Sequence, residues 1–270
     1  MSTYTLGTEI RRQWSRQRTR WALGFMVLLP IIVLVAFQLG PDDDSGDGPG
    51  FISMATSGAA NFTIFTVLVS QAFLLIVVAA LFSGDAVASE ASWGSLRYLL
   101  AIPVGRGRLL AVKYVVSLLS TGVAIALLTG TSLLIGVFAY GWHPLQTPIG
   151  DDISANEALV RLAAMLGYLA VSLLVVSSLA FLLSVSTDAP LGAVGGAVMI
   201  VIVSSILDQI SALGVLRNLL PTHFTDAWQG LFSDPVQLDD LVKGCVSAAI
   251  YASLFAAVAW VRFLRKDVTS

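Results

Sequence analysis

His143 and His223 are the only histidines in the chain and Cys245 the only cysteine, so any soft-metal or thiol chemistry would rest on these three. No Asp, Glu or Cys falls at metal-ligand spacing on a helix with either histidine, and no metal centre is expected. One cysteine allows neither an internal disulfide nor a thiolate cluster. His223, two residues after Pro221, is expected to order a surface or re-entrant segment. Asp43-x-Ser45-x-Asp47-Gly48 copies the first half of a calcium loop, but Met54 occupies the twelfth position, where a bidentate Glu is required. A solvated acidic turn is the expectation there. Asn61-Phe62-Thr63 fits the glycosylation pattern only in form, because it opens an apolar run. No catalytic group is expected, and what remains is charge placed at intervals along an apolar chain.

The elements that carry this charge follow from composition. Of 270 residues, 56% are hydrophobic and 12% charged, with a mean hydropathy of +0.84; soluble domains carry about 25% charged residues. One core cannot hide so much apolar surface from water. The expected fold is an all-α polytopic membrane protein, a single domain over residues 1–270. A span needs about 20 apolar residues, and six runs qualify, at about 21–39, 59–83, 109–140, 158–186, 189–207 and 244–264. Pro30 predicts a kink in the first, and Asp188 with Pro190 separates the fourth from the fifth. The first run is too long for a cleavable signal and has no small-residue site before the acidic loop, so it is expected to stay attached.

The formal net charge of −2 conceals an asymmetry. Twelve of the 15 Lys and Arg lie before the first run, between the second and third, or after the sixth, whereas twelve of the 17 Asp and Glu lie on the opposite side. Cations are retained in the cytoplasm, so both termini are expected there, in a multi-pass protein of the cell membrane. Near-neutrality gives no reason to expect nucleic acid. Leu6, Ile10 and Trp14 recur at helical spacing among Arg11, Arg12, Arg16 and Arg18, with Trp21 following. This predicts an in-plane amphipathic helix with arginines toward anionic lipid; a basic tail that only fixes topology is the plainer alternative.

The deep parts of the runs hold no ionisable residue, since Asp85, Arg161, Asp188 and Asp208 sit at ends. Proton- or sodium-driven carriers keep an acid near the midplane, so an external energy source is favoured. Thr63, Thr66 and Ser70, with Phe65 and Phe73 nearby, form a stripe that could line a cavity for an amphiphile; packing through small hydroxyl side chains is the favoured reading. Gly192-x-x-x-Gly196 lets two backbones approach closely, in a dimer or within one chain.

The segment between the second and third runs is the most informative. Before Pro103 it predicts a short amphipathic helix with Trp93, Leu96 and Leu100 on one face. That face suits a groove on a cytoplasmic partner, with Glu90, Arg97 and Arg106 at the rim. A loop helix resting on the headgroups fits the same chemistry. The run Glu90-x-x-x-Gly94-Ser95-Leu96-Arg97-Tyr98-Leu99-Leu100-x-x-Pro103-Val104-x-Arg106-x-x-Leu109-Leu110-x-x-Lys113 resembles the first cytoplasmic loop of ABC type-2 permeases, with Gly105 where that family usually has Ser. The six runs, the basic segment before them and Leu220-Pro221-Thr222-His223-Phe224 in the long outer segment are similar to the family as well.

The resemblance implies the permease subunit of an ABC exporter, which forms the path of a drug-like or lipid-like small molecule in multidrug-type efflux. It implies a cytoplasmic coupling helix that docks on ABC ATPase subunits through Glu90, Trp93, Gly94, Ser95, Leu96, Arg97, Leu100, Pro103 and Arg106. It also implies a second permease chain, identical or different, met through the first and fifth spans within the lipid bilayer. ATP and Mg would be bound by the ATPase, because this chain contains no Gly-x-x-x-x-Gly-Lys-Ser/Thr loop and no cofactor of its own is expected. An ion-coupled secondary transporter and a non-transporting membrane scaffold or sensor are the alternatives.

Overall fold

The computed structural model describes residues 5–39, 51–94, 105–147, 152–233 and 235–265. The acidic turn around Asp43 to Asp47 lies outside the described residues, as do Ser95, Leu96, Arg97, Leu100 and Pro103 of the expected docking segment. Among the described residues the chain is helical, apart from one isolated backbone bridge.

Helix α1 (Leu6–Ser15) opens on a reciprocal cap: the Thr5 hydroxyl accepts from the Thr8 backbone N at 3.4 Å, and the Thr8 hydroxyl accepts from the Thr5 backbone N at 3.3 Å. The chain extends at Arg16 and re-enters a helix as α2 (Gln17–Leu39), with Pro30 inside it. A short turn, α3 (Phe51–Ala55), precedes α4 (Ala59–Gln71) and α5 (Leu74–Ser92), which stand where one continuous span from 59 to 83 was expected. Neither Pro nor Gly announces the break at Ala72 and Phe73. Instead Gln71, just before it, is held from far along the chain by Asp226 and Trp228.

Helix α5 then continues through the stretch expected to be a loop. Gly84 does not end it, because this glycine is a close-packing position: a Cβ there would lie 2.8 Å from Val194 Cγ2 and 3.1 Å from the Val194 backbone N. The helix stops at Trp93-Gly94, where Gly94 takes a φ of +65°, the left-handed conformation of a helix C-terminal glycine. Trp93, expected on one helical face with Leu96 and Leu100, lies past that end and is largely exposed.

The remaining long helices are α6 (Arg106–Tyr140), α7 (Ala155–Ser186), α8 (Pro190–Asp208) and α9 (Asp239–Arg265). With α2 and α5 they give six helices long and apolar enough to cross a membrane. A backbone bridge between Leu145 and Ile153, both N–O distances 2.9 Å, closes the connection from α6 to α7. The turn into α8 uses Thr187, whose hydroxyl accepts from the Ala189 backbone N at 3.2 Å, and Pro190 at the first helical position. Between α8 and α9 the chain forms 3-10 turns at Ser211–Leu219 and Ala227–Phe232.

Helices α5 and α7 make the centre of the bundle. α7 packs on α9, α5 and α8, α5 packs also on α8 and α6, and both α2 and α4 lean on α6. α2, α8 and α9 are mostly exposed and turn outward side chains such as Ile32, Met199 and Ile250, the surface a span shows to lipid. On α8, Asp188 and Asp208 bracket a stretch without charge that rises about 27 Å, close to the hydrocarbon thickness. Helix α6, with 35 residues, is about 52 Å long and overreaches that layer.

Candidate functional site

Two polar layers lie at opposite ends of this uncharged slab. At the basic end, Glu90 in the last turns of α5 is 1% exposed. It meets Lys113 Nζ of α6 at 2.5 Å and Arg12 Nη1 of α1 at 2.6 Å. Lys113, also buried, sits 2.8 Å from Glu9 of α1. Asp85, on the same helix as Glu90, takes Arg16 at 2.7 Å on one oxygen and Arg18 at 2.8 Å on the other, and Arg16 donates further to the Ser89 hydroxyl at 3.2 Å. Three carboxylates thereby meet four cations, the compensation that charge removed from water requires.

The local sequence explains how these groups converge. Asp85 and Ser89 sit one turn apart on one face of α5, and Glu90 follows Ser89 in the same buried turn. On α1, Glu9 and Gln13 are buried whereas Leu6, Arg11 and Trp14 are exposed, so the side this helix turns to the protein carries its acid and its amide. The Ser184 hydroxyl of α7 lies 3.0 Å from the Val87 backbone N and 2.9 Å from that of Ala88, which fixes the height of α5 against α7.

Two expectations are corrected here. Glu90, placed at an exposed rim by its sequence context, is an internal tie between three helices. Arg12, Arg16 and Arg18, assigned to anionic lipid, instead reach inward to Glu90 and Asp85, because an unpaired buried carboxylate costs more than a guanidinium held at the surface gains. Arg11 and Trp21 are exposed, and Arg106 opens α6.

At the acidic end, Asp208 closes α8 and lies 2.5 Å from His223 Nδ1 and 3.5 Å from Arg217 Nε. His223, expected to order its segment, is held to the end of α8 through this pair. Gln71 donates to Asp226, and its carbonyl oxygen accepts from Trp228 Nε1 at 2.6 Å. An indole N–H only donates, so the amide is fixed this way round. The Tyr168 hydroxyl donates to the Phe224 carbonyl at 2.5 Å, and Arg161 donates to the carbonyls of Leu231 and Ser233 at 2.9 and 3.1 Å. The segment between α8 and α9 is thus stapled to α4, α7 and α8.

Against this layer lies a cavity of about 460 Å³, inside the range of roughly 300–1,000 Å³ usual for small-molecule sites. Leu75, Leu173, Val176, Leu179 and Ile200 form its walls, and Gln71, Asp208, His223 and Asp226 its polar end. Partial burial raises the carboxyl pKa of Asp226 above the usual 3.8; the Gln71 hydrogen bond opposes this shift and the Asp208 charge adds to it.

The hydroxyl stripe of α4 is elsewhere. Thr63, Thr66 and Ser70 are fully buried, and each donates to a carbonyl one turn back on its own helix, at 2.8, 2.8 and 2.5 Å. They serve packing, and the cavity is lined by other residues. Phe65 stacks near Phe37 with ring centres 5.0 Å apart, and Phe73 is exposed at the break before α5. A Cβ on Gly196 would lie 3.3 Å from Leu183 Cδ1, which makes it a contact between α8 and α7 of one chain; one on Gly192 would meet only Ala189, at 3.6 Å. Asn61 is occupied by the backbone of Gln146, donating to its carbonyl at 2.8 Å and accepting from its N at 3.1 Å.

Sequence reasoning passed over Glu9, Gln71 and Asp226. The signals were present: Glu9 and Gln13 stand one turn apart beside the stripe of Leu6, Ile10 and Trp14 on α1, and Gln71 is an amide in the middle of an apolar run.

The family model described as "ABC-2 family transporter protein" matches residues 14–268. The chain is also similar to "Uncharacterized protein YhcI" of Bacillus subtilis (strain 168), 28% identical over 236 residues that cover 78% of this chain and 67% of the relative. The family expected from the run between Glu90 and Lys113 is the one that matches nearly end to end, and the six long apolar helices agree with it. The chain is a multi-pass membrane protein and belongs to the ABC-2 transporter family.

Proposed function

We propose that this chain is the permease subunit of an ATP-driven exporter, working as a dimer on separate cytoplasmic ATPase subunits that bind the ATP and Mg. The observation that carries the reading is the buried ion cluster. Glu90 is tied to α6 by Lys113 and to α1 by Arg12, three residues before Trp93. A push on the segment that follows Trp93 is therefore delivered to three helices together.

On this reading the basic end faces the cytoplasm and holds both termini, in the cell membrane. α1 lies along the bilayer surface with Leu6 and Trp14 toward lipid. Trp93, with Ser95, Leu96, Arg97, Leu100, Pro103 and Arg106, supplies the docking surface, and Glu90 acts behind it. The exposed faces of α2 and α8 meet the second permease chain, with Gly192 on the open side of α8. ATP is favoured as the energy source because Asp85 and Glu90 are matched by cations at the slab boundary, and no ionisable residue stands between Asp188 and Asp208 on α8. The cargo is a small amphiphile, drug-like or lipid-like.

Purification from the membrane under mild conditions tests this. A stoichiometric companion chain with a phosphate-loop motif is expected with the wild-type protein. Leu96→Asp is expected to lose that companion while remaining in the membrane at normal level. A wild-type chain that purifies without any ATPase, or a Leu96→Asp variant that assembles and transports normally, would refute the docking assignment.

A further inference from the structure

We propose that the cavity at the acidic end binds an amphiphile with a single positive charge, its cationic head against Asp226 and its apolar body along α7 and α8. The inference deepens the exporter reading by naming a class of cargo, and it rests on that reading for the step from ligand to cargo.

Shape and charge point the same way. The apolar walls follow α7 from Leu169 to Leu179, about 15 Å of helix, and include Ile200 of α8 on the other side. Ser172 and Ser205 interrupt these walls, which are otherwise aliphatic and accept an apolar body. The polar end holds two carboxylates in different situations. Asp208 is answered by His223 and Arg217. Asp226 has the neutral amide of Gln71 as its donor, and among the described residues no cation pairs with it. Gln71 is itself locked by Trp228 and keeps its N–H toward Asp226.

One carboxylate thus opens on an apolar cavity with its negative charge uncompensated. An anionic head would meet repulsion from both Asp226 and Asp208. A neutral ligand would displace water from the Asp226 carboxylate without replacing its charge interaction. A cation supplies that interaction where water is already scarce, the setting in which a hydrogen-bonded or close charge pair is strongest.

The test is equilibrium binding to the full chain in lipid nanodiscs, with binding to empty nanodiscs subtracted. Two probes of the same shape and opposite charge are used, tetraphenylphosphonium and tetraphenylborate. The expected result is saturable binding of one tetraphenylphosphonium per chain and no saturable binding of tetraphenylborate. Asp226→Asn is expected to weaken the cation at least about tenfold, through the loss of one close charge pair in a setting of reduced dielectric. Asp226→Glu, which keeps the charge, should stay near wild type. Absence of saturable cation binding, equal binding of the borate, or unchanged affinity in Asp226→Asn would each overturn the site. The first two outcomes are read on the wild-type chain alone, whether or not the variants fold. A co-purifying ATPase without selective cation binding would remove the cargo class and leave the exporter reading standing. Selective cation binding without an ATPase would uphold the site and remove the exporter reading.

Discussion

Replacing Lys113 by Met tests whether the ion cluster is structural. The substitution keeps most of the length of the side chain and deletes the ammonium, which sits 2.5 Å from Glu90 and 2.8 Å from Glu9. Removing one partner from a buried pair costs roughly 3–5 kcal/mol, because the stranded charge has lost both water and counter-ion. Arg12 remains 2.6 Å from Glu90, so the lower end, about 3 kcal/mol, is expected. For a chain of this size that corresponds to a fall of roughly 6–12 °C in Tm. The assay is thermal unfolding in lipid nanodiscs, followed by tryptophan fluorescence at low and high salt. The fall should be insensitive to salt, since neither Glu90 nor Lys113 is reached by solvent ions. Lys243→Met, at an exposed pair with Asp240, should leave Tm unchanged. The double variant Lys113→Met with Glu90→Met should recover at least half of the loss, as apolar replacement of a buried pair does in other proteins. A fall under about 2 °C in the single variant, or strictly additive losses in the double, would refute the reasoning.

Three further outcomes are expected. Asn61→Ala removes two hydrogen bonds to the backbone of the exposed Gln146, at a cost of about 0.5–1.5 kcal/mol each, and hydrogen exchange at the Gln146 amide should quicken; unchanged exchange there would sink the claim. Gly84→Ala places a Cβ against both the side chain and the backbone of Val194, at a cost of about 1–3 kcal/mol in melting experiments. Adding Val194→Ala should restore only part of it, since the backbone contact at 3.1 Å persists, and full restoration would contradict this packing. Asp226 has a folded-state pKa above its ordinary 3.8, so the folded protein holds that proton more tightly than the unfolded chain. Its ionisation therefore costs stability at neutral pH, and the cost disappears as pH falls through the raised value toward 3.8. Asp226→Asn should melt above wild type at pH 7 with a gap that closes on acidification; a variant less stable at pH 7 would show that the Gln71 bond outweighs burial.

The spans were legible because hydrocarbon selects for length and apolarity, and both are written along the sequence. The turn at Thr187 to Pro190 was legible for a local reason, turn chemistry between two apolar runs. What stayed hidden was set by partners remote in sequence. Gln71 ends α4 where it contacts residues more than 150 positions away, and no propensity at Ala72 or Phe73 records that. Glu90 read as a rim residue because a carboxylate near an end of a span is ordinarily solvated. Its burial depends on Lys113 and on Arg12, and a pairing among three helices has no one-dimensional period. The second expected run stopped at 83, yet Gly84 continues the helix and is a position of close contact between α5 and α8.

The two polar layers resolve their charges differently, and this decides what each does. At the basic end every carboxylate in the cluster has a cation within 3 Å, so the layer has little left to offer a ligand and holds helices in register. At the acidic end Asp226 is left with a neutral donor beside a cavity, the arrangement on which the proposed recognition of a cation rests. Helix α5 joins them. Glu90 stands near one end, and Leu75 and Ile76 at the other line the cavity, about 21–22 Å of unbroken helix away. Coupling across such a distance needs a rigid element that both sites bias. On the proposed reading a displacement of Glu90 would carry Leu75 along the cavity wall, while Gln71, beyond the break, stays with Asp226 and Trp228. The discontinuity between α4 and α5 is where that displacement would be absorbed, which gives the break a role on the proposed reading that local sequence does not record.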